Sequence, residues 1–415
     1  VGATFVDKNS KKLSVDLGEA IMANFGFGDF IIRDPADGRE IMRIVDLKDM
    51  QQRIFDIPAD ALYHHAQNND SSRWLYSRAL FPIADVVRQH RFESLDEAPA
   101  VRRLFFDLIV KYRRMKNRGV VAVFRKNRFD HYSNFARIGD GSLGGKGRGL
   151  AFVDSIIKNN AVFDDIDGVC VTIPRTVVLC TDIFDRFMAD NALYPIALGK
   201  ASDEEILKAF IAGRLPDDIR DNLNALLDVV DRPLAVRSSS LLEDSHYQPF
   251  AGVYATYMVP CADDREQRLH MLTSAIKAVY ASVFYRASKT YMTATSNVID
   301  EEKMAVIIQE VVGEEHGEYY FPAFSGVGRS LNYYPLGDEK PEDGVAQVAV
   351  GLGKYIVDGC KGLRFSPRHP AHVLQTSTLD LALRDTQTHL LALRRKPVSS
   401  SDFATDDGVH IERVP

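Results

Sequence analysis

Two segments of this 415-residue chain carry side chains suited to holding a phosphate. The first runs Gly139-Asp140-Gly141-Ser142-Leu143-Gly144-Gly145-Lys146-Gly147-Arg148-Gly149-Leu150 and leads into a helix with apolar positions at Leu150, Val153 and Ile157. Glycines let backbone amides approach an oxyanion, and a helix start adds the positive end of its dipole. Lys146, set in such a turn, can neutralise the bound charge. The spacing is not that of a Walker A loop, because the four residues between a first glycine and Gly-Lys-Ser/Thr are missing. A flexible turn with a solvated lysine is the competing reading. The second segment is Val236-Arg237-Ser238-Ser239-Ser240, followed by Glu243-Asp244-Ser245 and Phe250-Ala251-Gly252. A buried strand that delivers Arg237 and three hydroxyls to a loop makes a phosphate clamp, since a planar guanidinium engages two phosphoryl oxygens at once. Ser-rich strand ends without any ligand are also common.

A third segment, Ile307-Ile308-Gln309-Glu310-Val311-Val312-Gly313, reads as a buried strand ending in two polar side chains. Adenine can lie against such an end and bond to main-chain groups; a core strand emerging into solvent is the plainer alternative. In the fourth, Gly351-Leu352-Gly353-Lys354 through Val357-Asp358-Gly359, the glycines mark a tight turn and specify no ligand by themselves. Cys170, Cys180, Cys261 and Cys360 lie far apart, with no CxxC pair and no histidine at zinc-finger spacing, so reduced, buried thiols are expected. His64 and His65 fall in an amphipathic stretch and are read as structural.

The elements that must position these residues fall into two patterns. From Leu17 to Pro99 the chain reads as short helices around one hairpin, Phe30 to Arg33 against Glu40 to Arg43. Leu104, Leu108, Tyr112 and Met115 then recur at helical spacing. Val120 to Asn134 is polar and basic and is read as a connection. Beyond Phe135 the pattern becomes mixed: two short strands broken at Pro174 within Val169 to Leu179, helices at Asp182 to Met188 and Glu204 to Ile211, a strand at Leu234 to Val236, one long helix from Arg265 to Met292, and a buried strand from Met304 to Val312. The organisation expected is a mainly helical region over 1–134, an α+β domain over 135–396 and a loosely ordered tail over 397–415. Hydrophobic residues at 46% and charged residues at 26% fit a folded protein, and the net charge of −6 leaves no bulk positive field for nucleic acid or anionic lipid. No apolar run is long enough to span a bilayer and no signal-peptide core opens the chain, so a cytoplasmic location is expected.

Taken in order, Gly144-Gly145-Lys146-Gly147, Val236-Arg237-Ser238-Ser239 with Glu243-Asp244 and Phe250-Ala251-Gly252, Gln309-Glu310-Val311-Val312, and Gly351-Leu352-Gly353 with Val357-Asp358-Gly359 resemble the ATP-binding domain of phosphoenolpyruvate synthase and pyruvate phosphate dikinase. The resemblance runs from about Phe135 to Gly359, and Ala281-Ser282-Val283-Phe284 with Arg286 looks like that family's long-helix signature. It implies an ATP-grasp fold, with the nucleotide between two lobes. Lys146 would contact the α- and β-phosphates and Arg237 the β- and γ-phosphates, as the catalytic pair. Gly144, Gly145 and Ser238 would line the phosphate site, Ala251 and Gly252 would belong to a loop folding over it, and Gln309, Glu310 and Val312 would border adenine. ATP with Mg²⁺ is the implied cofactor set. The implied partners are a swivelling phosphohistidine domain and a pyruvate-binding domain, both C-terminal in the family.

The chain also departs from the pattern. Tyr319 to Val327 replaces the family's Gly-Val-Ala-Phe-Ser-x-Asn-Pro segment, and Lys354 stands where Glu is expected. The Asp-x-Glu strand that supplies Mg²⁺ ligands and the Gln-x-Arg strand are not found between Gly359 and Pro415, and Glu412 is only an echo of the former. The metal ligands are therefore unknown and the domain is expected to be incomplete at its C-terminal end. A start at Val1 and an end at Val414-Pro415 lead to the expectation of a piece of a longer polypeptide. The function expected is a phosphoenolpyruvate synthase-like phosphotransfer module. The alternatives are a dikinase or phosphotransferase module serving another acceptor, as in glucan-water dikinases and rifampicin phosphotransferases, or a nucleotide sensor without catalysis.

Overall fold

The computed structural model describes residues 5–90, 92–116, 121–124, 134–163, 169–240, 254–294, 302–396 and 410–415. The chain divides into two compact units, Val1–Arg118 and Gly119–Pro415. The first unit carries α1 (Leu13–Phe25), the hairpin β1 (Phe30–Arg33) and β2 (Glu40–Ile44), α2 (Leu47–Arg53), α3 (Ala59–Gln67), α4 (Asp70–Ser77), α5 (Phe81–Gln89) and α6 (Ala98–Lys116). Alternation on the hairpin sends Ile32 and Ile44 inward, where they join Trp74, Leu75 and Phe105 in one core. The α6 helix forms where the periodicity places it, but its most buried face is Val101, Phe105 and Ile109, one step round from Leu104 and Leu108. Trp74 donates through Nε1 to the Gly28 carbonyl at 3.2 Å, and the Arg78 guanidinium lies 4.1 Å over its ring. His65 spends both ring nitrogens on structure: Nε2 accepts the Arg33 amide at 3.0 Å, and Nδ1 lies 2.8 Å from Asp70.

The second unit is built on a six-stranded sheet of order β3-β4-β5-β8-β6-β7, with β3 (Ala122–Val123), β4 (Phe135–Ile138), β5 (Thr176–Leu179), β6 (Leu234–Ser240), β7 (Thr256–Val259) and β8 (Met304–Glu310). The first three strands in that order are parallel, and β8 runs antiparallel between β5 and β6. Apolar side chains on both faces dictate helices on both. One face, with Val177, Val236, Val306 and Ile308, packs on α8 (Thr181–Asp190), α10 (Asp203–Ala212), α11 (Asp217–Leu227) and α12 (Arg265–Ser282), with the short α9 (Tyr194–Leu198) alongside. The other face, with Phe135, Val178, Ala305 and Ile307, is covered by α7 (Gly144–Asn159) through Leu150, Ala151 and Ile157, while Val153 turns outward.

This part of the molecule differs from the sequence pattern at three points. The basic connection before Phe135 contributes an edge strand, because Ala122 and Val123 pair with β4 and Phe124 is buried in the main core. The unit boundary therefore falls ahead of Gly119. Residues 169–175 form no strand: Pro174 has no N–H to offer a ladder, and its carbonyl is taken by the Thr176 hydroxyl at 2.9 Å. The long helix breaks after Ser282 and restarts as α13 (Arg286–Ala294), because Asp203 captures the Arg286 amide at 2.8 Å and the Ser288 hydroxyl caps the Ser282 carbonyl at 2.7 Å. Ala287, within the expected single helix, is exposed.

After β8 the chain enters a second lobe with two antiparallel sheets. One has the order β15-β14-β10-β9, from β9 (Glu314–His316), β10 (Tyr319–Phe321), β14 (Leu390–Arg394) and β15 (Ile411–Val414). The other is β11 (Ser325–Arg329), β12 (Val345–Ala349) and β13 (Leu363–Phe365), accompanied by α14 (Lys354–Val357) and α15 (Leu379–Asp385). Part of the expected loose tail is thus a strand, with Leu390 opposite Val414, whereas 397–409 lie outside the described residues. Glu412 on β15 is held by the Arg394 guanidinium and by the Tyr319 hydroxyl at 3.1 Å. Gly351 has φ +88°, and a Cβ there would stand 2.7 Å from the Leu391 carbonyl, which the Leu352 amide bonds at 2.8 Å.

Two outcomes follow. Phe124→Ala should destabilise the second unit by about 3–5 kcal/mol, read as a shift in urea midpoint, whereas a mere connection would show under about 0.5 kcal/mol. Burial lowers the pKa of His410. The unfolded chain therefore binds the extra proton first, so stability is complete above the ordinary histidine value of about 6.5 and declines as pH falls below it. Urea midpoints taken between pH 7.5 and pH 5, at intervals of about half a pH unit, should show this decline flattened in His410→Gln.

Candidate functional site

The turn between β4 and α7 is held by the residues that open α8. The Asp182 carboxylate accepts the amides of Asp140 at 3.0 Å and Gly141 at 2.9 Å, and the Thr181 hydroxyl accepts that of Ser142 at 3.0 Å. Arg137 donates to the Gly139 carbonyl at 2.7 Å from behind. A Cβ on Gly139 would stand 2.6 Å from Asp182 Oδ1, and one on Gly141 would stand 2.7 Å from Thr181 Oγ1. The first half of the Gly-rich turn therefore cradles an anion belonging to the protein itself. Cys180 lies behind it, where burial pushes the thiol up to about 11 and keeps it neutral.

The second half of the turn is shaped by β6. Gly144 has φ +69°, and a Cβ there would overlap the Ser239 carbonyl oxygen at 1.7 Å. Ser239 donates its hydroxyl hydrogen to the Leu143 carbonyl at 2.8 Å and accepts the Gly147 amide at 2.9 Å, so the start of α7 is fastened to the end of the strand. Gly144, Gly145 and Gly147 are buried in this contact, and Lys146 Nζ lies 3.2 Å from Ser238 Oγ. Strand alternation puts Arg237 on the same face of β6 as Ser239, and it is half-buried. Its last cross-strand partner on β7 is Thr256, which leaves Ser238 to Ser240 beyond the end of that pairing.

Gln309 and Glu310 sit on β8 opposite Ala235 and Leu234, about 10 Å along the sheet from Ser238. Gln309 gives an amide hydrogen to Thr176 Oγ1 at 2.9 Å, and Glu310 lies 3.3 Å from the Arg175 guanidinium. Val312, at the exit into the second lobe, is exposed. The fold thus brings Gly144, Gly145, Lys146 and Ser238 together, with Arg237 the residue before Ser238 on β6, and sets Gln309, Glu310 and Val312 at the other end of the same stretch of sheet. Ala251 and Gly252 lie outside the described residues. Sequence reasoning missed Asp182, Thr181 and the double role of Ser239. The Thr181-Asp182 pair at a helix start was the available signal. An open, mostly apolar cavity of about 520 Å³ in the second lobe, lined by Phe324, Val350, Leu363 and His389, contains none of the expected site residues. Among the described residues no three His, Cys, Asp or Glu side chains converge as a metal site, and no helix is long and apolar enough to cross a membrane.

Residues 140–397 match the family model of the pyruvate phosphate dikinase AMP/ATP-binding domain. The chain belongs to that family. The matched domain is α+β and ATP-grasp-like, a dikinase-type ATP-binding domain. An uncharacterized phosphotransferase of Bacillus subtilis (strain 168), YvkC, is 27% identical over 190 residues, covering 45% of this chain and 20% of that relative. The match therefore spans about a fifth of the relative's length.

Removing the Ser239 hydroxyl deletes one donor and one acceptor from a buried junction. Ser239→Ala should cost about 1–3 kcal/mol, and Gly144→Ala should cost more, because its Cβ overlaps backbone that cannot swing aside. Chemical denaturation of the two variants beside the parent protein checks the order.

Proposed function

We propose that this chain is the ATP-binding, phosphoryl-donating module of a phosphoenolpyruvate synthase-like phosphotransferase. In this reading ATP phosphorylates a carrier histidine on a swivelling domain, which passes the phosphoryl group to pyruvate on a further domain, in the cytoplasm. The observation that carries it is the junction of α7 with β6, where Lys146 and Ser238, 92 residues apart in sequence, stand 3.2 Å apart, Arg237 being the residue before Ser238 on the strand. The resemblance of these segments to the family's ATP-binding domain supports the reading, since it implies phosphates at these positions.

Lys146 would meet the α- and β-phosphates and Arg237 the β- and γ-phosphates. Phosphoryl transfer demands mainly alignment and neutralisation of charge moving toward the bridging oxygen, which two cations fixed on a helix start and a strand supply. The amides of Asp140 and Gly141 are engaged by Asp182, so the phosphates fall to Lys146, Arg237, Ser238 and the α7 start at Gly144 and Gly145. Ala251 and Gly252 would close over them. Adenine would lie toward Gln309, Glu310 and Val312. Mg²⁺ would enter with the nucleotide, taking most of its ligands from phosphate and water. The described carboxylates do not gather into a site for it.

Calorimetric titration with MgATP tests the reading. Lys146→Ala and Arg237→Ala should each weaken binding by about 10- to 100-fold, the scale of a hydrogen bond to a charged group. Unchanged affinity in both variants would remove the assignment. The acceptor is tested separately, by following label from ATP to a histidine on a carrier domain supplied in trans.

A further inference from the structure

We propose that Asp182 is a positioning residue for the nucleotide phosphates, acting through the Gly-rich turn and touching no phosphate itself. The proposal rests on the phosphate reading of Lys146 and Arg237 and adds to it a residue outside the four segments that suggested that reading. Both carboxylate oxygens of Asp182 are engaged by main-chain amides, Oδ2 by Asp140 and Oδ1 by Gly141. The neighbouring Thr181 is tied to Ser142 twice, its hydroxyl accepting the Ser142 amide and its own amide donating to the Ser142 carbonyl, each at 3.0 Å. Ser142 Oγ in turn accepts the Gly144 amide at 3.2 Å. A continuous set of hydrogen bonds therefore runs from the start of α8 through the turn to the first residue of α7, two positions before Lys146.

A turn with glycines at 139, 141, 144 and 145 has more backbone freedom than one with side chains at those positions, and ordering it costs correspondingly more. Charge-assisted bonds to a carboxylate are the strong kind, and this carboxylate sits in the first turn of a helix, where its charge is favoured. The room is also fitted to it, since a Cβ at Gly139 or Gly141 would collide with Asp182 atoms. A carboxylate placed there would repel a phosphate that approached it. Its effect on the ligand is through the placement of Lys146 and of the α7 start.

The test titrates Asp182→Asn, Asp182→Ala and Lys146→Ala with MgATP and with adenosine, and records each variant's thermal midpoint without ligand. Asn keeps the shape and one amide-accepting oxygen, so it serves if the Ala variant does not fold. ATP affinity should fall by about tenfold or more in Asp182→Ala and less in Asp182→Asn, while adenosine affinity stays within about twofold of the parent. Parental ATP affinity in both Asp182 variants would overturn the proposal. Equal loss of ATP and adenosine affinity would also overturn it, by showing a general structural role. Lys146→Ala separates the two levels: a loss there without one in the Asp182 variants defeats the positioning role alone, and no loss in any variant defeats the phosphate reading beneath it.

Discussion

The hydroxyl of Ser239 is at once donor to the Leu143 carbonyl and acceptor of the Gly147 amide, and the backbone of α7 can come that close only because residue 144 has no side chain. Leu143 is the N-cap of α7, so its carbonyl and the Gly147 amide are the pair that closes the first turn of the helix. A hydroxyl that bonds both of these groups from a strand on another part of the chain fixes both the height and the rotation of the helix over the sheet. Lys146 is one residue from the bonded amide, and Arg237 is two residues from Ser239 on the same face of β6. The separation of the two cations is therefore set by one contact and by the rigidity of the elements on either side of it.

That rigidity comes from the sheet. The β8 strand lies between β5 and β6 and is buried on both faces, with α7 on one and the aromatic cluster of Phe184, Phe187, Phe210 and Tyr280 on the other. Its register with β6 puts the polar end, Gln309 and Glu310, at a set distance from Ser238. The same strand leads into the second lobe, where Tyr320 bonds the Val311 carbonyl at 3.0 Å and packs with Leu352 and Leu393. One central strand thus links the region beside Lys146 with the segment that joins the lobes.

The turn before α7 shows how an anion-binding motif can be turned inward. Backbone amides in a Gly-rich loop bind whatever anion is nearest, and here the nearest is Asp182. Glycine composition and spacing do not reveal whether the anion is a ligand or a side chain, because the requirement for close approach is the same in both cases. In this protein the demand on Gly139, Gly141 and Gly144 is packing against Asp182, Thr181 and Ser239.

The kind and order of the elements whose patterns are long or punctuated are legible along the chain. These include the hairpin around Asp34 to Gly38, the strand at Leu234, the buried strand at Met304, and the Gly-rich entry to α7, together with the family they resemble in series. Local periodicity and turn chemistry suffice for those. The break after Ser282, the strand at Ala122, the strand at Ile411 and the partners of the Gly-rich turn arise in the folded chain alone. Each depends on a group distant in sequence: Asp203 for the restart at Arg286, β4 for the pairing of Ala122, β14 for Ile411, and Asp182 for the amides of Asp140 and Gly141. Hydrogen bonds across such separations leave no period in the chain, and a four-residue strand or a single carboxylate is too short to announce its partner.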